Sequence, residues 1–154
     1  MFSNQPLHRA WRLIADSTLK ILAEKRPVNE EEKQDMSDSV FWIVEGNIRP
    51  GEFDKLNTLI DEMVTNTNTR ESGTIAYEWF VDPGKTRCFI FERYRDSESA
   101  MIHLHTFDQK YAGRLGQLME IGRVTLFGNA SEEVMKTLGD QGTVFLSPLT
   151  GFTR

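Results

Sequence analysis

The sequence predicts an α+β domain with the element order β-α-β-β-α-β, and three observations carry that prediction. Three runs rich in β-branched and aromatic residues, 40–48, 74–81 and 86–94, read as strands. Two apolar stripes at spacings of three and four, Phe53-Leu56-Ile60-Met63 and Ala100-Leu104-Phe107-Tyr111-Leu115-Leu118, read as helices packed by one face. Between the second and third strands, Asp82-Pro83-Gly84-Lys85 is a turn, with proline preset for its second position and Gly84 free to take positive φ, so those strands form an antiparallel hairpin. A fourth strand over 124–127 completes the ferredoxin-like split βαβ pattern, in which both helices cover one face of the sheet.

The other face needs a cover too. In the third strand Cys88, Ile90 and Tyr94 share one side with Glu92, while Phe89 and Phe91 share the other with Arg93. A strand with one wet face would alternate apolar and polar residues, and this one does not. A second copy of the same sheet is the simplest cover, so the expectation is a sandwich of two sheets in a homodimer.

The flanking elements are justified one by one. Leu7, Trp11, Ile14, Thr18 and Ile21 fall on one stripe of a helix over 7–25, which Pro27 ends. The segment 27–39 holds five acids and almost nothing apolar, so it reads as a solvated linker. Pro50-Gly51 stops the first strand, and the polar run 65–72 is expected to return the chain to the sheet at Gly73. Asp96 or Ser97 caps the second helix, and Gly113 and Gly116 weaken its far end, so a kink or stop is expected there. After Phe127, residues 131–138 read as a short helix capped by Gly139, and 143–146 as a possible fifth strand stopped by Pro148. The organisation is an N-terminal helix and acidic linker over 1–39, a central domain over 40–127, and a C-terminal extension over 128–154.

Composition excludes several classes. A net charge of −5 argues against a nucleic-acid partner, which wants clustered Lys and Arg. No run approaches the roughly 18–20 apolar residues of a membrane span, and the charges at Arg9, Arg12, Asp16 and Lys20 interrupt any signal-peptide core. The single cysteine, Cys88, rules out an internal disulfide and fits a reducing, cytoplasmic setting, where it serves as a small buried hydrophobe.

Residues 40–127 resemble the antibiotic biosynthesis monooxygenase superfamily, dimeric α+β barrel proteins that include cofactor-free quinol monooxygenases. The likeness is carried by Arg49-Pro50-Gly51 opening the first helix and Gly73-x-x-x-Tyr77 on the second strand. It continues with Phe91-Glu92-Arg93-Tyr94 ending the third strand, and Asp96 with His103 seven residues on. The resemblance implies oxidation of a quinol or polyphenol-type aromatic by dioxygen with no flavin or metal. A deprotonated hydroquinone is an anion rich enough in electrons to reduce dioxygen itself. Relatives that bind or degrade haem supply one alternative, and a non-enzymatic dimeric binding or regulatory module supplies another.

Within that reading His103 is the candidate general base and Glu92 the carboxylate that orients it, since an imidazole titrating near neutrality can take a phenolic proton. The structural role expected of His103 is a hydrogen bond to Glu92 between helix and strand. Tyr77, Trp79, Tyr94 and Phe107 are the candidate substrate-binding walls. His105 lies roughly 200° around the helix from His103 at 3.6 residues per turn, so the two diverge and no metal site is expected.

Overall fold

The computed structural model describes residues 38–139 and 142–151. The helix expected over 7–25 and the acidic linker up to residue 37 lie outside the described residues. The strands are β1 (Val40–Ile48), β2 (Thr74–Val81), β3 (Arg87–Tyr94), β4 (Met119–Phe127) and β5 (Val144–Leu146). The helices are α1 (Phe53–Arg70), α2 (Ser97–Lys110), α3 (Ala112–Leu118) and α4 (Glu132–Gly139). They form an α+β fold on one open sheet of order β2-β3-β1-β4-β5, the ferredoxin-like arrangement with a fifth strand added. The first four strands pair antiparallel, whereas β5 lies parallel to β4, so the sheet is mixed.

Alternation sets the two faces. Val40, Trp42, Val44 and Ile48 of β1 and Cys88, Ile90, Glu92 and Tyr94 of β3 are buried beneath the helices. The core there has two parts. One gathers around Trp42, Tyr94, Val124 and Leu126, and takes Val134 and Leu138 from α4. The other gathers around Leu56, Met63, Leu115 and Met119. Tyr77 and Trp79 pack against both, so they mark the seam between them.

Four local details differ from the sequence expectation, each for a physical reason. The run 65–70 is the end of α1 rather than a return loop, because buried Thr67 extends the stripe of Leu56 and Met63 by one more turn. Its threonines settle into the helix by back-bonding, with Thr69 Oγ1 donating to Thr65 O at 2.8 Å. The second helix breaks at Tyr111 (φ −122°, ψ −31°), ahead of Gly113 and Gly116, so that the Tyr111 ring is buried while α3 starts afresh. β4 begins at Met119, five residues before the expected start, because Met119 plugs the core and Leu118 O accepts from Arg49 N at 2.9 Å. In the β2–β3 turn the positive φ falls on Lys85 (55°), while Asp82 Oδ1 accepts from the Thr86 and Arg87 amides at 2.7 Å each.

Where β1 meets β4 the register shifts between Glu45 and Gly46. A side chain at Gly46 would collide with Met119 Cε and sit 2.8 Å from Glu120 O, so only glycine fits this bulge. Asp96 caps α2 as expected, its Oδ1 accepting from Ser99 N at 2.8 Å. Cys88 is buried, and burial pushes its thiol up to about 11, the behaviour of an inert core residue.

Candidate active site

The seam of the core contains a cavity of about 60 Å3, walled by Tyr77 and Trp79 of β2, Glu92 of β3, and His103 and Phe107 of α2 among other residues. Strand alternation places Tyr77, Trp79 and Glu92 on the covered face, where Tyr77 and Glu92 are direct cross-strand neighbours. The helical period brings His103 and Phe107 to the same side one turn apart. Five of the six residues picked out from the sequence therefore meet at one cavity. Tyr94 lies behind the wall, with 0% of its surface exposed, its ring tilted against Trp42 at 4.5 Å between ring centroids.

His103 is the hub. Its Nε2 stands 3.2 Å from Glu92 Oε2, the helix–strand contact expected of a structural histidine. Its Nδ1 stands closer, 2.7 Å, to Oε2 of Glu71, the residue that caps the C-terminus of α1. Glu71, Glu92 and His103 are each at most 7% exposed. Tyr77 and Tyr94 sheathe the imidazole at 5.2 and 5.3 Å between ring centroids. Burial alone would drive protons off this ring; the hydrogen bonds to Glu71 and Glu92, and then the charges of Glu92 and Glu71, outweigh it and raise its pKa to about 9. At neutral pH both ring nitrogens therefore donate, one to each carboxylate.

Glu92 also accepts from Tyr94 Oη at 2.5 Å. Both contacts fall on Oε2, which leaves Oε1 as the oxygen available to a molecule in the cavity. Burial, followed by the charge of Glu92, raises the pKa of the Tyr77 phenol, and burial and Glu92 do the same for Tyr94, so both stay neutral donors. Trp79 Nε1 is buried and makes no well-formed hydrogen bond, its one weak partner being the Tyr77 hydroxyl. It is a donor on the cavity wall with capacity to spare. His105 is turned outward and bonds Gln109, and among the described residues no cluster of His, Cys, Asp and Glu could hold a metal ion.

Glu71 is the residue that sequence reasoning missed. It sat in a run taken for loop, and only the extra turns of α1 carry it under His103. Its place two residues before Gly73 was the available signal, because a side chain at Gly73 would collide with Ser99 and hold α2 away from the site. Arg93, on the far face, donates Nε–H to Ser39 Oγ at 3.1 Å.

A second pocket of about 310 Å3 opens on the surface beside α3 and shares Phe107, Leu115 and Ile121 with the cavity. Those three side chains form the partition between the two pockets. An apolar cavity that binds benzene measures about 150 Å3, so this space as it stands is smaller than an aromatic ring needs.

No helix among the described residues is long and apolar enough to cross a membrane. None of the curated proteins matches the chain. Among solved structures it is similar to MupZ from Pseudomonas fluorescens, at 17% identity and a TM-score of 0.68, over 76% of this chain and 95% of that one. It is also similar to Rv0793 from Mycobacterium tuberculosis, at 26% identity and a TM-score of 0.52, over 61% and 97% of the two chains. A Bacteroides thetaiotaomicron protein described as a possible oxidoreductase aligns at 22% identity and a TM-score of 0.52, over 59% and 97%. The structures under 25% identity speak for the fold alone. The family described as antibiotic biosynthesis monooxygenase matches residues 39–115, half of the chain and the part that holds the polar trio and most of the cavity wall, and the protein belongs to that family.

Proposed function

We propose that the protein is a cofactor-independent monooxygenase that oxidises a quinol or polyphenol-type aromatic with dioxygen, acting as a homodimer. The observation that carries this reading is a buried imidazole fixed between two carboxylates at the wall of an aromatic-lined cavity. Removing a phenolic proton in a dry site requires an acceptor and a nearby positive charge to hold the anion. Glu92 Oε1 is the acceptor and the His103 imidazolium is the charge. His103 Nε2–H donates to Glu92 Oε2, so the imidazolium orients the carboxylate and holds the charge while Glu92 takes the proton.

The anion then passes an electron to dioxygen. Recombination of the two radicals forms a C–O bond to the ring and gives a peroxide. Loss of the ring proton and cleavage of the O–O bond leave one oxygen on the ring as a carbonyl, and the other departs as water. The phenolic and ring protons account for that water, and the substrate supplies all four electrons, two to the oxygen it keeps and two to the oxygen that leaves as water. Trp79 Nε1–H and the Tyr77 hydroxyl are the donors placed to stabilise the oxyanions, while Phe107 covers the ring.

The test is oxygen uptake with a panel of hydroquinones, hydroxynaphthalenes and anthrones. The expected result is uptake of one dioxygen per quinone formed, with one labelled oxygen in the product. A Soret band on adding haemin would redirect the reading to the haem-binding relatives. The small cavity favours one competing reading, a dimeric binding module, which binds such aromatics and consumes no oxygen.

A further inference from the structure

We propose that Glu71 is a positioning residue that holds the His103 imidazolium from behind and sets the upper pH limit of the site. The inference rests on the proposed oxidation only for its kinetic arm. Three observations carry it. Glu71 makes the closer of the two carboxylate contacts to the ring, 2.7 Å to Nδ1 against 3.2 Å to Nε2 for Glu92. It is held from two sides: its amide donates to Thr67 O at 3.0 Å, and Thr74 Oγ1 donates to its Oε2 at 3.2 Å. It stands outside the cavity wall and lines a separate pocket of about 340 Å3 with Arg70, Gly73, Arg95 and Ser99.

Those placements divide the labour. Glu92 faces the cavity and touches a bound phenol; Glu71 cannot. What Glu71 does is fix the ring through Nδ1–H, so that Nε2 is aimed at Glu92, the logic of an acid–imidazole pair whose third member does the contact chemistry. Its negative charge also keeps the ring protonated. The groups facing the ring are Glu71 at the end of α1, Glu92 and Tyr94 on β3, and Tyr77 on β2. Both tyrosines are neutral, so the two carboxylates alone hold the positive charge against burial. Oε1 of Glu71 is buried with no partner. A carboxylate kept in that condition is held for its charge as well as for its packing.

The experiment titrates the His103 ring by NMR in wild type, Glu71→Gln and Glu71→Asp, with His103→Gln assigning the signal. The expected midpoint is about 9 in wild type. It falls by about one to three units in Glu71→Gln, the scale for losing an adjacent opposite charge. Glu71→Asp, which keeps the charge but withdraws it by one methylene, gives an intermediate midpoint and decides the matter where Glu71→Gln does not fold. An unchanged midpoint in either folded variant overturns the proposal.

The kinetic arm follows the alkaline limb of quinol oxidation. Glu71→Gln moves that limb to lower pH by the same number of units, so turnover falls more at pH 8 than at pH 6, by about twofold for a one-unit shift and about tenfold for two units. A merely structural carboxylate would lower turnover equally at both pH values, and that result also overturns the proposal. Should wild type consume no oxygen, the NMR shift still stands for the positioning role, and the failure belongs to the proposed oxidation.

Discussion

His103 ties the chemistry of the site to the stability of the fold. Its pKa rises on folding from the ordinary 6.5 to about 9. A raised pKa means that the folded state binds the proton more tightly. The resulting stability is fully present below about pH 6.5 and drains away as pH climbs through about 9. The amount is on the order of 3 kcal/mol. We expect the urea midpoint to fall between pH 6.5 and 9.5 in wild type and to stay nearly flat in His103→Gln. A wild-type midpoint constant over that window would show that the ring gains no proton affinity on folding. Two of the three polar residues were legible in the sequence because each has a periodic address: Glu92 on the apolar side of its strand and His103 at the shoulder of its stripe. Glu71 lies four residues past Thr67, on the continuation of the α1 stripe, but the polar run there hides that stripe in the sequence. It is placed by where α1 stops, and that point is set by packing of Thr67 rather than by the weak helix propensity of a Thr/Asn run.

Among the elements, two irregularities flank the partition between the two pockets. Phe107 and Leu115 lie on either side of the α2–α3 break at Tyr111, and Ile121 sits at the register shift that pairs it with Gly46. Arg49 fastens α3 from below, its backbone N–H to Leu118 O at 2.9 Å and its guanidinium to Gly116 O at 3.3 Å. Shortening the partition with Phe107→Ala should speed binding of a fluorescent naphthol, and enlarging it with Ile121→Trp should slow it, each by about tenfold, with the fold intact. Equal binding rates in all three proteins would place the entrance elsewhere. Gly46→Ala should destabilise the domain by about 2 kcal/mol or more, in the range of an overpacked core, measured by thermal melting. The glycine at the bulge was not legible as such, because Gly46 lies inside an otherwise continuous strand pattern. The extra length of β4 was hidden by Gly122 and Arg123, which interrupt its apolar run.

For the whole molecule, the face of the sheet away from the helices carries the aromatic residues that the sequence placed there. Phe41 stacks on Phe127 at 4.8 Å and meets Phe91 at 5.8 Å, while Phe80 is 54% exposed. Phe41, Phe91 and Phe127 are half-buried, and a second sheet would be a fitting cover for such an aromatic face. Light scattering should give a dimeric mass at micromolar concentration, with Phe41→Asp and Phe91→Asp each shifting it toward monomer. A monomeric wild type would remove the dimer from the account. The central claim, that the His103–Glu92 pair makes the anion that reacts with dioxygen, is tested most directly by oxygen uptake on an activated quinol. Wild type is compared at pH 7 with a folded His103→Gln protein. The account predicts a fall of about two decades or more in turnover, the scale for losing the charge that holds the anion, with ligand affinity changed far less. Equal turnover in the two proteins would contradict it and leave His103 a structural link between α1, α2 and β3.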